Sequence, residues 1–363
     1  MPFLVLQDRT VFEGEGFGAW PAERGEQAGE VVFNTSMSGY QEIITDLSYA
    51  GQILVLTHPQ IGNYGWHDEE NEADKILLKG LIVRELASGE GSLHADGSLK
   101  EFCQEHGIWG LKGVDTRALT RHIRQQGTIP GVLVVGEEDG LQYWKRVENR
   151  ELNWHPHQHW VYQTTTAESY EIPGKGPFVA VLDCGAKRNI LRSLQEYGFR
   201  IRVFSVTTPA EEILRARPKA LVLSNGPGDP SELPEIVATI RELLPKLPIL
   251  GICLGHQLLA LAAGGETYKL PFGHRGGNHP VQDSRTQKAT MTAQNHGYAV
   301  REESLAQSGF QVILRNLHDG TVEGMEHTTY PVFSVQYHPE SAPGPEENHK
   351  IFEDFFHKIG LIG

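Results

Sequence analysis

The stretch PILGICLGHQ, residues 248–257, is the most informative part of this chain. A short apolar run leads into Gly-x-Cys-x-Gly, and a segment rich in Leu and Ala follows. This pattern predicts a buried strand, a tight turn that carries Cys253, and a buried helix. Glycine on both sides of the cysteine lets the backbone adopt a cramped conformation that a Cβ atom would obstruct.

The predicted turn presents the sulfur of Cys253 at the C-terminal end of a strand and at the start of a helix. Free N–H groups and the helix macrodipole at that position favour a thiolate. This arrangement is a nucleophile elbow with cysteine in place of serine. The alternative is a structural cysteine in an ordinary strand-to-helix turn, and the stretch alone leaves it open.

A second stretch, VFSVQYHPE at residues 332–340, supplies the partners that a cysteine nucleophile needs. The nucleophile requires a base, and the base requires an orienting acceptor. The proline after His338 biases it toward an extended conformation, so the His338 and Glu340 side chains lie on one side. We therefore predict that Glu340 orients His338 and that His338 handles the proton of Cys253. His256 is a rival base one helical turn from the cysteine, but no carboxylate lies near it in sequence.

Composition excludes several classes of protein. A chain of 363 residues with 39% hydrophobic residues predicts two domains with sizeable cores. The net charge of −14 argues against partners that are nucleic acids or anionic membrane surfaces. No apolar run approaches the roughly 20 residues of a membrane span, and the N-terminus lacks signal-peptide features. Three cysteines without CxxC spacing favour the reducing cytoplasm, and we interpret Cys103 and Cys184 as small buried hydrophobes.

The second half alternates regularly between strands and helices. Strands are predicted at 178–182, 200–206, 220–223 and 249–252, and helices at 188–197, 210–216, 236–244 and 254–263. Short connections between them predict an α/β fold in which helices flank a mostly parallel sheet. Ligands in such sheets bind at the carboxyl ends of strands, where the glycine loop 226–228 and Cys253 both fall.

The first half predicts a smaller, mixed α/β domain. Strands are predicted at 30–36, 52–57, 76–84 and 132–135, and helices at 99–106 and 116–124, the latter with Asp115 as N-cap. We expect this domain at 1–150, a linker at 151–176 and the second domain at 177–363. Alternating His155, His157 and His159 in the linker make a metal site an alternative. No carboxylate or cysteine accompanies them, and we predict no metal in this chain.

Two polar turns are candidates for ligand contacts. SNGPGDP at 224–230 lacks the Gly-Lys-Ser/Thr ending of a nucleotide-binding loop. The N–H groups of Gly228 and Leu254 are our candidates for an oxyanion hole, with an ordinary turn as the alternative. QNHGY at 294–298 predicts a turn in which Asn295 can bind an amino acid through both functions of its amide.

Three motifs together resemble the class I (triad) glutamine amidotransferase domain. GICLGHQ, SNGPGDP and HPE stand in that family's order, and the match covers about residue 176 to the C-terminus. In the first half, FNTSMSGYQE at 33–42 and TDLSYAGQ at 45–52 look like the N-terminal domain of the carbamoyl-phosphate synthetase small subunit. GHRGGNHP at 273–280 also looks like that subunit, so the resemblance spans nearly the whole chain.

The resemblance implies a reaction and a substrate site. Cys253 would attack the side-chain amide of L-glutamine, giving ammonia and a γ-glutamyl thioester that water hydrolyses, with His338 as acid and base and Glu340 orienting it. The implied glutamine-binding residues are Ser48, Gly226, Gly228, Leu254, Gln257, Asn295, Gly297 and Tyr298. Because Ser48 lies in the first domain, the resemblance implies a pocket between the domains.

The resemblance also implies a partner. The family's small subunit passes ammonia through an internal tunnel to a large subunit, which makes carbamoyl phosphate from bicarbonate and ATP for arginine and pyrimidine biosynthesis. We expect no cofactor in this chain, and ATP and magnesium on the large subunit. Three alternatives remain: a glutaminase subunit of another amidotransferase, a non-catalytic scaffold subunit, and a thiol hydrolase acting on peptides or esters.

Overall fold

The computed structural model describes residues 1–88, 95–152 and 159–363. The chain divides into two compact units, Met1–Gln158 and His159–Gly363, each built on a large sheet. In these described ranges, no helix combines the length and the apolar character that a membrane span requires. His155 and His157 of the alternative metal site lie outside the described residues.

The first unit contains a mixed eight-stranded sheet in the order β2-β1-β10-β4-β5-β7-β9-β3. The strands of this unit are β1 Phe3–Leu6, β2 Val11–Glu13, β3 Glu15–Gly18, β4 Glu26–Asn34, β5 Gln52–Leu56, β6 Gln60–Ile61, β7 Gly80–Ile82, β8 Glu85–Leu86, β9 Trp109–Lys112 and β10 Ile129–Val134. Strands β6 and β8 form a separate two-stranded sheet. The helices of this unit are α1 Tyr40–Thr45, α2 Leu99–Glu105, α3 Thr116–Gln126 and α4 Glu137–Glu148. The pairs β4–β5, β5–β7 and β7–β9 are parallel and the other pairs of the eight-stranded sheet are antiparallel, which confirms a mixed domain.

Side-chain caps begin two helices of this unit. The Asp115 carboxylate accepts a 2.9 Å hydrogen bond from the Ala118 N–H, so the predicted N-cap of α3 is confirmed. Ser98 and Glu101 form a reciprocal capping box at α2. Helices α1 and α4 were not predicted. At α4, the glycine inside the helix and the absence of a side-chain cap weaken the start and periodicity signals.

The second unit contains a ten-stranded sheet in the order β11-β13-β12-β14-β15-β20-β19-β18-β16-β17. Its strands are β11 Tyr170–Ile172, β12 Phe178–Asp183, β13 Arg200–Ser205, β14 Ala220–Leu223, β15 Ile249–Ile252, β16 Thr267–Asp283, β17 Ala289–Val300, β18 Phe310–Asn316, β19 Val322–His327 and β20 Val332–Val335. Its helices are α5 Trp160–Thr164, α6 Arg188–Glu196, α7 Ala210–Arg215, α8 Pro234–Leu243, α9 Leu254–Ala262 and α10 Lys350–Lys358. We call β13-β12-β14-β15-β20 the parallel core, because every pairing within it is parallel.

The parallel core is covered on both faces. Along β12, Ala180 and Leu182 pack into one apolar cluster, whereas Val179 and Val181 pack into another. Successive side chains of a strand point to opposite faces, so an unbroken apolar run marks a strand buried on both sides. This is why the sequence predicts these strands well, with β14 and β15 at the bounds expected.

The strands β16, β17, β18 and β19 continue the sheet in antiparallel pairing, and we call them the antiparallel extension. The sequence did not predict them, and the turn predicted at 294–298 is wrong because those residues lie within β17. The β16–β17 pair has register shifts between Lys269 and His274 and between Gly276 and His279. Irregular strands that bury polar residues lack the apolar alternation on which a strand prediction depends.

The predicted linker at 151–176 differs from the structure in its second part. Helix α5 lies there with Trp160 and Val161 buried, and β11 pairs antiparallel with β13. These short elements belong to the second unit. Segments of three to five residues are too short for periodicity to reveal.

Candidate active site

Cys253 lies between β15 and α9 in a strained backbone conformation. Its φ of 54° and ψ of −102° lie outside the regions that a residue with a Cβ atom normally adopts. Two hydrogen bonds hold the turn: Cys253 N–H donates to the Val335 carbonyl at 2.9 Å, and Gly255 N–H donates to the Ser224 carbonyl at 3.1 Å. Strain of this kind persists only where the surroundings enforce it, and it is found at active sites.

The glycines on either side of Cys253 allow α9 to pack closely on the sheet. A Cβ atom at Gly251 would lie 2.6 Å from Leu259 Cδ1. A Cβ atom at Gly255 would overlap the Leu223 backbone of the neighbouring strand. The glycine pattern of the sequence therefore has the steric cause that we expected for it.

The Cys253 sulfur lies within a chain of amide groups. Its Sγ is 3.6 Å from the Asn295 carbonyl oxygen, and Gln336 Nε2 is 3.7 Å from the same sulfur. Gln257 Nε2 donates to Gln336 Oε1 at 3.0 Å and to the Tyr298 carbonyl at 2.8 Å. Sequence reasoning missed Gln336, because no motif marks a single buried amide that follows an apolar strand.

His338 and Glu340 make the contact that their spacing predicts. His338 Nδ1 is 2.6 Å from Glu340 Oε1, and both side chains are buried. The backbone N–H of His338 donates to the Ala293 carbonyl at 2.9 Å, which ties this segment to the antiparallel extension. The other ring nitrogen, Nε2, is buried and has no hydrogen-bond partner among the described residues.

Electrostatics couple His338 to the cysteine. Burial lowers the pKa of His338, but the negative charges of Glu340 and the Cys253 sulfur and the hydrogen bond to Glu340 outweigh it and raise that pKa to about 10. The imidazolium form is therefore favoured while both neighbours are anionic. This is the charge arrangement of a thiolate and imidazolium pair oriented by a carboxylate.

Lys187 is a residue of this site that sequence reasoning missed. Its Nζ is 3.5 Å from Glu340 Oε1 and donates to the Ser341 carbonyl at 2.5 Å, although the side chain is only 4% exposed. Burial raises the pKa of Glu340, but the charges of His338 and Lys187 hold it below its ordinary value. A lysine immediately before a helix looks like a solvated surface cation in sequence, so no signal distinguished it.

His256, the rival base, has a different environment. Its Nδ1 lies 2.9 Å from the Ser334 hydroxyl, and burial lowers its pKa to about 3. Burial raises the pKa of Cys103 to about 12, and burial together with the Asp183 charge raises the pKa of Cys184. Both cysteines are buried and free, as their interpretation as small hydrophobes requires.

The glycine loop lies directly after β14. A Cβ atom at Gly226 would lie 2.8 Å from Leu254 Cδ2, and Gly228 has a φ of 94°. Leu254 is the first residue of α9, so its N–H has no acceptor inside the helix. The oxyanion hole formed by the Gly228 and Leu254 N–H groups stays a prediction.

The other predicted glutamine-binding residues fall on two units. Asn295, Gly297 and Tyr298 lie on β17, where the Tyr298 carbonyl accepts from Gln257. Ser48 lies in the first unit, in a short 3-10 helix whose first turn is capped by Asp46. The pocket that the resemblance implied between the domains stays a prediction.

Comparisons with known proteins give a family for each of the two units. Residues 180–359 match the family Glutamine amidotransferase class-I, and residues 4–133 match the family Carbamoyl-phosphate synthase small chain, CPSase domain. Among solved structures, a glutamine amidotransferase from Thermotoga maritima is 17% identical, with a TM-score of 0.36 over 51% of this chain and 85% of that chain. The family match at 180–359 makes the second unit a class I glutamine amidotransferase domain.

Curated relatives cover nearly the whole chain. The carbamoyl phosphate synthase small chain of Symbiobacterium thermophilum is 49% identical over 96% of this chain and 96% of its own length. Those of Clostridium acetobutylicum and Methanopyrus kandleri are 45% and 46% identical, over 97% of this chain and 98% and 97% of their own lengths. This chain belongs to the carbamoyl phosphate synthase small chain family.

Proposed function

We propose that this chain is the glutaminase subunit of a carbamoyl phosphate synthase. It hydrolyses L-glutamine to glutamate and ammonia and supplies the ammonia for carbamoyl phosphate synthesis. The observation that carries the assignment is the contact of His338 with Glu340, together with its electrostatic coupling to Cys253 on a strained turn. Family membership and the identity across both units support the same function.

The first half-reaction forms a thioester. The Cys253 thiolate attacks the side-chain carbonyl of glutamine and forms a C–S bond, and the carbonyl π electrons move to oxygen. His338 then gives its proton to the amide nitrogen as the C–N bond breaks, so that ammonia leaves. N–H groups of Gly228 and Leu254 are proposed to stabilise the oxyanion.

The second half-reaction releases glutamate. His338, now neutral, accepts a proton from water as the water attacks the thioester carbonyl, and the C–S bond breaks to restore the thiolate. Glu340 remains ionised beside Lys187 throughout and keeps His338 oriented. We propose that Ser48, Gly226, Gln257, Asn295, Gly297 and Tyr298 bind the amino-acid part of the substrate.

The proposed partner is a carbamoyl phosphate synthase large chain. It would receive ammonia through an internal tunnel and combine it with bicarbonate and ATP, serving arginine and pyrimidine biosynthesis in the cytoplasm. We assign ATP and magnesium to that partner, and we assign no cofactor for glutamine hydrolysis to this chain. A dry tunnel is favourable because ammonia in water at neutral pH is mostly protonated and then cannot act as a nucleophile.

The test compares glutamine with ammonia as the nitrogen source. We expect Cys253→Ser to lower glutamine hydrolysis by at least about 10⁴-fold, because the hydroxyl is far less ionised than the thiol. The assembled complex should still make carbamoyl phosphate from added ammonium chloride. Loss of both activities in a folded complex would contradict the assignment.

A second measurement separates the alternatives. If the chain serves carbamoyl phosphate synthesis, the native chain should co-purify with a large partner, and that partner should stimulate its glutaminase activity. Formation of carbamoyl phosphate with the matching large chain would exclude a glutaminase subunit of another amidotransferase. Measurable glutamine turnover would exclude a non-catalytic scaffold subunit. A chain that hydrolyses glutamine rapidly alone and is indifferent to the partner would contradict the coupling.

A further inference from the structure

Three buried ligating side chains converge in the antiparallel extension, apart from the proposed triad. His274 on β16, His296 on β17 and Glu323 on β19 each offer a ligand atom, and these atoms all lie within 4.8 Å of one another. We call these three residues the His-His-Glu cluster. No step of the proposed glutamine hydrolysis uses it.

Both imidazole rings are fixed by an oxygen acceptor on one nitrogen. His274 Nε2 is 2.9 Å from Asp319 Oδ2, which leaves Nδ1 at 3.7 Å from Glu323 Oε1. His296 Nδ1 is 2.7 Å from the Tyr298 carbonyl oxygen, which leaves a buried Nε2 with no hydrogen-bond partner among the described residues. Histidines that bind metals are oriented in this way, with the second nitrogen on a carboxylate or a backbone carbonyl.

The carboxylate is fixed as well. Asn316 Nδ2 donates to Glu323 Oε1 at 2.8 Å, and Gln294 Nε2 donates to Glu323 Oε2 at 2.8 Å. Each amide leaves the carboxylate oxygen with a further lone pair. A buried carboxylate that is held from two sides and faces two oriented imidazoles is the donor set of a preorganised cation site.

We propose that His274, His296 and Glu323 bind a divalent transition-metal cation, with Zn²⁺ as the best chemical fit. Two imidazoles and one carboxylate are a ligand set that zinc takes with tetrahedral geometry, leaving one position for water. The ligand atoms must approach by about 1 Å, because zinc bonds of about 2.0–2.2 Å bring tetrahedral ligands within about 3.5 Å of one another.

A proton on His274 is the competing occupant. Burial lowers the pKa of His274, but hydrogen bonds and charges of Asp319 and Glu323 raise it to about 9. A proton can therefore neutralise the same carboxylates without a metal. The two occupants differ in one respect that an experiment can measure, since only a metal uses the free nitrogen of His296.

A cation bound to the His-His-Glu cluster would affect the proposed glutamine site through the Tyr298 carbonyl. Its carbonyl accepts from His296 and also from Gln257, whose amide donates to Gln336 next to the cysteine sulfur. A cation that fixes the His296 ring therefore also fixes the Tyr298 carbonyl, which accepts a hydrogen bond from Gln257. The binding proposal itself does not depend on the proposed function, because metal uptake is measured without glutamine.

The test uses the full chain, stripped with a chelator and then titrated with Zn²⁺ or Co²⁺. We expect one tightly bound zinc per chain after gel filtration, and a Co²⁺ visible spectrum of four-coordinate nitrogen and oxygen ligation. Glu323→Gln and His296→Asn should each remove this zinc, and the loss in His296→Asn distinguishes a metal from a proton on His274. Asn316→Ala removes an amide that donates to Glu323 and lies 3.5 Å from His274 Nδ1, so it should weaken binding by about 10–100-fold.

Two controls make the outcome decisive. The triple variant His155→Asn, His157→Asn, His159→Asn should retain the zinc, and circular dichroism should show that each variant is folded. If the Asn316→Ala variant is folded and binds zinc as tightly as the parent chain, the proposal is overturned. It is equally overturned by no uptake, by loss of zinc in the triple variant, or by a sulfur-to-cobalt charge-transfer band, which would indicate a cysteine ligand.

Discussion

The parallel core and the antiparallel extension meet at Cys253 and stabilise it by different means. Strands of the core bury aliphatic side chains on both faces, and the strained turn packs against them and is held by two backbone hydrogen bonds. The extension buries His274, His296 and Glu323, and it supplies the Asn295 carbonyl beside the sulfur. The difference shows that hydrophobic packing places the nucleophile, whereas a hydrogen-bonded network forms its surroundings.

The largest expected effect is a loss of glutaminase activity when the residue that orients His338 is changed and Cys253 is left in place. Glu340→Gln should lower glutamine hydrolysis by about 10⁴-fold, because an amide in that position cannot stabilise the imidazolium and favours the wrong tautomer. Steady-state glutaminase assays measure this change, with Ser334→Ala at the His256 hydrogen bond as the matched control. Activity of Glu340→Gln within tenfold of the parent would contradict the role of Glu340 in orienting His338.

The next test addresses packing at the elbow. Gly255→Ala should destabilise the second unit by about 3 kcal/mol, because the new methyl group overlaps the Leu223 backbone and the sheet cannot yield. Gly264→Ala is the control, since its φ of 90° penalises alanine while its Cβ meets nothing within 4 Å; a loss of about 1 kcal/mol is expected there. Urea denaturation compares the two. Equal losses would mean that backbone conformation, and not close packing, makes glycine necessary.

A smaller effect is expected from the buried lysine. Lys187→Met removes a charge that lowers the pKa of Glu340, so that pKa should rise. Ionised Glu340 supports His338 only above its pKa, and this support is lost as the pH falls. The acid limb of the kcat/KM profile should therefore move to higher pH, with roughly tenfold lower activity near pH 6. Exposed Lys219→Met should leave the profile unchanged, and an unshifted Lys187→Met profile would contradict this role.

The last test exchanges threonine and valine between the antiparallel extension and the parallel core, and Thr292→Val has the smallest expected effect. Thr292 is buried in β17, donates to the His279 carbonyl at 2.8 Å and accepts from Gln294 at 3.0 Å. Thr292→Val should cost about 1 kcal/mol because two polar groups lose their partner. Val222→Thr in the parallel core should cost about 1–3 kcal/mol because it buries a hydroxyl without one. Thermal unfolding of both variants tests this; stabilisation by Thr292→Val would mean that the network is not needed for stability.

The same contrast explains how much the sequence could predict. Strands β14 and β15 were predicted at their observed bounds, because runs of four buried apolar residues between turn signals leave few alternatives. Cys253, His338 and Glu340 lie in short motifs, and the residue types in those motifs indicate a nucleophile, a base and an orienting carboxylate. The family resemblance then supplied the substrate and the partner.

What was missed depends on contacts across the fold. Gln336 and Lys187 become part of the site only because β20 and the start of α6 come beside Cys253 and Glu340. The antiparallel extension was missed because polar residues such as His274, Gln294 and Glu323 share its buried positions and the register of β16 is irregular. No local pattern distinguishes a buried histidine from an exposed one.

The central claim is that Cys253 alone of the three cysteines is made nucleophilic, through His338 and Glu340. The most direct measurement is labelling of the full chain with a diazoketone analogue of glutamine, followed by mass spectrometry of its peptides. The account predicts an adduct on Cys253 only, forming much more slowly in Glu340→Gln. An adduct on Cys103 or Cys184, or an undiminished labelling rate in Glu340→Gln, would contradict it.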